Sequence, residues 1–129
     1  MDLIINEEDF DDNEIIIKHC KNSQKILYHK NGIYLIGIPF KIKNFTIVQQ
    51  TNKYLIIDIS KTKQYDVFKK IDDFFQSKYK SKYRHFLNKK NLRIKKNHSN
   101  NYNEENDVYI TINNIKYKNS FVTIQLFTV

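Results

Sequence analysis

The chain has 129 residues, is 40% hydrophobic and 14% aromatic, and carries a formal net charge of +8. It is long enough for one domain with a real core and too apolar for a disordered chain. The single cysteine excludes an internal disulfide, two glycines leave little room for a phosphate-binding glycine loop, and no apolar run is long enough to span a membrane.

The alphabet is biased: 20 Lys against 2 Arg, 16 Asn, no Ala and no Trp. Ile, Asn, Lys and Tyr are written with A- and T-rich codons, so the gene is expected in an AT-rich genome, and Lys must be judged by clustering rather than by number. The charge does cluster. Seven of the fourteen acids lie in residues 1–14, which hold no Lys or Arg, so residues 15–129 carry +15. The expected organisation is an acidic N-terminal arm, 1–14, loose or tail-like, followed by a single β-rich domain, 15–129. So basic a body has a far-reaching positive field. Its commonest biological partner is phosphate, with an acidic membrane surface or a merely solvated face as alternatives. A lone cysteine suits a reducing compartment, and the acidic start lacks the basic residues of a leader. The expectation is a soluble intracellular protein of the cytoplasm or a viral or plasmid replication site, without membrane contact.

In chain order, "LII" (3–5) is a short strand candidate and "EIIIKHC" (14–20) an apolar run. In "KILYHKNGIYLIGIPF" (25–40), Asn31-Gly32 between two apolar runs predicts a type I′ hairpin. Gly37 and Pro39 predict a bulge, bend or edge in its second strand. "KIKNFTIVQQ" (41–50) is expected to pair with "KYLIIDIS" (53–60), with Ile42, Phe45, Ile47, Leu55, Ile57 and Ile59 in the core. Tyr65, Phe68, Ile71, Phe74 and Phe75 then fall on one helical face. That spacing predicts a helix over about 63–79, capped by Ser60 or Thr62, with Asp66, Asp72 and Asp73 beside or opposite the apolar face. "NLRIKK" (91–96), "VYITINN" (108–114) and "SFVTIQLFTV" (120–129) read as strands around the polar loop 98–107.

Catalytic signals are missing. His19, His29, His85 and His98 are scattered, and none stands at metal-ligand spacing with Cys20 or a carboxylate. The adjacent acids of "IDDFF" (71–75) point about 100° apart on a helix and make no acid/base pair. The expectation is a protein that is not an enzyme and needs no cofactor or metal.

The strongest signal is "KYKSKYRHFLNKKNLRIKK" (78–96), nineteen residues with nine Lys or Arg and no acid. Single-stranded nucleic acid is bound by cations that follow the phosphates and by rings that stack on bases. Candidate phosphate contacts are Lys78, Lys80, Lys82, Arg84, Lys89, Lys90, Arg93, Lys95 and Lys96. Tyr79 and Tyr83, four residues apart, are the candidate stacking platforms, sharing a face if the helix continues. Phe86 and Leu87 are assigned to the core. A weaker set, Tyr28, Tyr34, Lys41, Lys43 and Tyr54, is expected in the hairpins, where cross-strand packing is the competing role. The acidic arm is expected either to lie in the basic groove when nucleic acid is absent, so that deleting it tightens binding, or to be a solubilising tail.

"KYLIIDISKTKQYDVFKKIDDFF" is a strand feeding one amphipathic helix, and "LRIKK…VYITINN…SFVTIQLFTV" closes with three strands. Over about residues 53–127 this order resembles the small single-stranded DNA-binding proteins of large DNA viruses, phages and linear plasmids. The resemblance implies an OB-fold core and DNA rather than RNA as partner. Here the acidic run is N-terminal, whereas such proteins more often carry theirs at the C-terminus, so tail-mediated partner recruitment does not carry over.

The expected fold is therefore a β-rich α+β domain, an OB-like, partly open five-stranded barrel with one amphipathic helix. The expected function is sequence-tolerant binding of single-stranded nucleic acid, in DNA replication. The alternative is a structural subunit of a ribonucleoprotein or polymerase assembly, its basic face docked on RNA or an acidic protein. Further protein partners or self-association, and a role as a viral regulator of host proteins, are also left open.

Overall fold

Alternation of apolar and polar residues becomes strand along most of the chain. The computed structural model describes residues 4–96, 101–116 and 121–126. His98, the start of "LII" and the terminal "FTV" lie outside them. Ahead of the one α-helix among the described residues come β1 (Ile15–His19), β2 (Ser23–Lys30), β3 (Ile33–Ile36), β4 (Ile38–Ile42), β5 (Thr46–Gln50) and β6 (Tyr54–Asp58). The helix, α1 (Tyr65–Tyr79), is followed by β7 (Leu87–Asn88), β8 (Asn91–Lys95), β9 (Val108–Lys116) and β10 (Phe121–Leu126). The molecule is α+β and β-rich. Ten strands are present among the described residues, against the five expected.

The strands form two antiparallel groups. One runs β1-β2-β9-β10, with β3 on β2 and β4 on β9; the other runs β8-β6-β5, with β7 on β8. They meet at a single parallel bridge between Gln125 of β10 and Lys95 of β8. The β2–β3 hairpin turns on Asn31 and Gly32, both at positive φ (50° and 80°), the type I′ pattern. Asn44, at φ 63°, follows β4, so the strand expected at 41–50 is split between β4 and β5.

Gly37 is the corner between β3 and β4. Its φ is +84°, and a Cβ there would stand 2.1 Å from Thr111 Oγ1. Only glycine lets the chain leave β2 and join β9 at this point. Pro39 follows in β4, which pairs only with β9 among the described residues, so the missing N–H falls on an edge. On that edge the Ile5 N–H reaches the Pro39 carbonyl at 3.0 Å.

Helix α1 begins two residues later than expected, and its N-cap, Gln64, makes no side-chain cap. The two expected caps serve the preceding turn instead: the Thr62 hydroxyl donates to the Ile59 carbonyl at 2.7 Å, and the Ser60 N–H donates to Asp58 at 2.8 Å. Phe68, Ile71 and Phe75 are fully buried, while Tyr65 and Phe74 are half-buried. Each full burial contributes about 1.5–3 kcal/mol. Phe68 lies 5.1 Å from the Phe40 ring and 6.3 Å from that of Phe86, which ties helix, sheet and basic segment into one core. Of the expected strand core positions, Ile47 alone is half-exposed.

Asp72, expected beside or opposite the apolar face, is buried, at 6% exposure.

Residues 4–14 correct the expectation of a loose arm. Ile5 is buried, Phe10 stacks on Tyr28 (5.7 Å, 18°), and the Asp11 N–H donates to the Tyr28 hydroxyl at 3.0 Å. Glu14 pairs with His29 at 2.9 Å, and Glu7 accepts from Gln64. The arm is docked against β2, β4 and the start of α1. Among the described residues none of its acids pairs with a cation of 78–96.

Candidate nucleic-acid interface

Leu92 and Ile94 are fully buried, and alternation along β8 therefore turns Arg93 and Lys95 outward. Their cross-strand neighbours on β6 are Ile56 and Tyr54. The Arg93 guanidinium lies 3.8 Å from the centre of the Tyr54 ring, which holds the cation against the sheet while leaving it exposed.

The same outer face continues past Lys95 onto β10 and β9. Asn114 stands opposite Thr123, beside a bulge that re-aims the end of β9, and Lys116 follows it outward. Lys25 of β2 pairs with Asn114, and Lys18 of β1 pairs with Lys25. Cross-strand partners share a face. One outer surface thus carries Arg93, Lys95, Lys116, Lys25 and Lys18.

Arg93 separates two grooves. A small one of about 150 Å³ is lined by Tyr54, Lys95, Asn114, Lys116 and Thr123. The Asn114 Oδ1 is buried and has no hydrogen-bond partner among the described residues. The larger groove, about 660 Å³, has Val48 and Ile56 as apolar wall, Gln49, Asn88 and Asn91 as amides, and His85 and Lys89 as cationic or titratable rim. Its His85 donates Nδ1–H to Asp72 Oδ2 at 2.6 Å. Asp58 stands at the far end of β6, where hydrogen bonds from Ser60 hold its carboxyl below the usual range and Lys90 adds to the effect.

The nine expected cations divide. Arg93, Lys95 and Lys89 line the grooves. Lys90 shares the β7–β8 turn with Lys89, and Lys78, Lys80, Lys82 and Arg84 lie around the end of α1. All eight are free of ion pairs among the described residues. Lys96 is corrected: it is 6% exposed and turned inward, its Nζ donating to the Thr51 carbonyl at 2.9 Å.

The two expected stacking rings are also corrected. Helix α1 stops at Tyr79, and Lys80 at φ 56° turns the chain away. Tyr79 and Tyr83 still stack on each other (6.5 Å, 24°), but inward. Tyr83 is 6% exposed, and its hydroxyl donates to Asp72 Oδ1 at 2.5 Å. Burial first, and then the Asp72 carboxylate, push its phenol far above the ordinary value. The Tyr79 hydroxyl donates to Gln24 Oε1. The Tyr83 ring is committed to the interior, and the half-buried Tyr79 ring packs against the core beside it.

Of the weaker set, Tyr54 lines the smaller groove, under Arg93. Lys41 and Lys43 share Asp107 at 3.3 and 4.0 Å, and the hydrogen bond to Asp107 raises the Lys41 ammonium's pKa. Tyr28 lies in the core under Phe10, and Tyr34 is exposed on β3, away from the grooves. Sequence reasoning missed Lys18, Lys25, Lys116, Asn114 and His85. Each of the three lysines is an outward position of an alternating strand, a signal present in the sequence but dispersed over a hundred residues.

Among the described residues no group of three or more His, Cys, Asp or Glu side chains is placed to hold a metal ion, and no helix is long and apolar enough to cross a membrane. No family model matches this chain, and no curated protein or solved structure does either.

Proposed function

We propose that this protein binds single-stranded nucleic acid with little sequence preference, along the outer sheet face from Lys89 through Arg93 and Lys95 to Lys116. The observation that carries the reading is Arg93 laid over Tyr54 between two grooves, with unpaired cations on either side. A guanidinium packed over a ring offers a stacking surface for an unpaired base. The surrounding lysines neutralise phosphates, and the amides of Gln49, Asn88, Asn91 and Asn114 give hydrogen bonds that any base can use. The resemblance favours DNA over RNA, at a replication site. It also carries the OB-like reading of the fold, with α1 standing between the β5–β6 hairpin and the closing strands; ten strands make any such barrel an elaborated one.

The test is titration against fluorescent poly-dT, poly-rU and a matching duplex at low and moderate salt. Tight single-strand binding that falls steeply with salt is expected. Absent binding, or equal weak binding to all three, overturns the reading and favours a basic face docked permanently in an assembly.

A further inference from the structure

The other end of the sheet bears a patch with a different pattern. Ile16, Leu27 and Ile36 form one cross-strand row over β1, β2 and β3. Ile36 is 79% exposed, and Tyr34, one row along, is 63% exposed. β3 is paired on one side only among the described residues, so the patch reaches a sheet edge.

Along the strands, the two sides of this apolar row carry opposite charge. Two residues before Ile16 is Glu14, ion-paired to His29 and fronting the acidic 4–14 segment docked beside it. Two residues after Ile16 is Lys18, opposite Lys25. A two-fold axis through the Ile16–Leu27 row would set the acidic end of one molecule on the basic end of another and cover both apolar centres. A surface apolar in the middle and oppositely charged at equal distances to either side is complementary to itself. We propose that it is an isologous contact between two copies of this chain. Three strands by five residues make a central patch of roughly 200 Å². That is small, so the dimer forms reversibly with rising concentration rather than permanently. The proposal does not depend on the nucleic-acid reading.

Sedimentation velocity of the full chain over a wide concentration range, without nucleic acid, tests it. A monomer–dimer equilibrium that weakens with salt is expected. Ile36→Lys places a charge in the apolar row and should leave monomer at every concentration, with an unchanged circular dichroism spectrum. Lys18→Glu faces Glu14 of the other copy across the axis and should raise the dimer Kd at least about tenfold. Adding Glu14→Lys to Lys18→Glu reverses that cross-axis pair and should restore dimer. Monomer throughout for the parent chain, a dimer indifferent to Ile36→Lys, or no recovery in the double exchange each overturns the proposal.

Discussion

The Tyr83 hydroxyl and Asp72 Oδ1 are 2.5 Å apart in the core beneath the basic segment. Asp72 also takes the Phe86 N–H at 3.2 Å and the His85 Nδ1–H at 2.6 Å. One buried carboxylate therefore fixes the path of residues 83–86, in the middle of a stretch, 78–90, with six Lys or Arg and no acid. Buried charge is tolerated only when it is hydrogen-bonded in this way.

Asp72→Ala should leave the Tyr83 hydroxyl and the Phe86 N–H without their acceptor, at about 1–3 kcal/mol for each buried donor. Urea denaturation at neutral pH reads the loss. A change below about 0.5 kcal/mol, the usual range for surface substitutions, would mean that the carboxylate does not organise the segment.

Tyr83 makes stability depend on alkaline pH. Its ordinary pKa is 10.0, and in the folded protein it lies far higher, through burial first and Asp72 second. The stabilisation is complete below pH 10 and is lost above it, because only the unfolded chain then releases the proton. Tyr83→Phe should be less stable at pH 7 by about 1–3 kcal/mol. The gap should close by about 1.4 kcal/mol per pH unit above about pH 10. Urea midpoints at about pH 7, 10 and 11 for both proteins check this, and a gap that does not move with pH contradicts it.

Much of the fold is legible locally. Asn31-Gly32 announces its hairpin, the Phe68–Ile71–Phe75 face announces α1, and β8 can be read from Leu92 and Ile94 alone. The strand partnerships are not legible, because Gln24 meets Ile115 across most of the length of the chain and no local pattern encodes that. The candidate interface suffers for the same reason. The spacing of Tyr79 and Tyr83 suggests a surface pair, yet spacing says only that two rings are neighbours. Which way they turn is decided by Asp72, whose charge argues for solvent until its three donors are in view.

Gly37 is the less replaceable of the two glycines. Gly37→Ala meets both a positive φ and a Thr111 Oγ1 at 2.1 Å, with the Ile112 carbonyl at 3.2 Å. Gly32→Ala meets the positive φ alone, with nothing within 4 Å. The second should cost about 1–2 kcal/mol and the first clearly more. Thermal melts of the two variants side by side decide it; equal losses would show that the β3–β4 corner yields freely at Thr111.

Arg93, Tyr54 and Lys96 separate binding from support. Arg93→Ala and Lys95→Ala remove exposed cations, so each should lower the single-strand salt slope by about 0.7 for each phosphate the side chain neutralises, with little effect on stability. Tyr54→Ala takes the ring from under Arg93 and should cost binding about 1–3 kcal/mol, because the guanidinium loses the surface that positions it. Lys96→Ala is the contrast. Its ammonium is spent on the Thr51 carbonyl and sits 5.8 Å from the centre of the Tyr102 ring, inside the molecule. It should lower the urea midpoint while leaving the salt slope unchanged. Measuring slope and midpoint for all four variants distinguishes them, and a Lys96→Ala slope that falls as far as that of Arg93→Ala would move the nucleic-acid path off the outer sheet face.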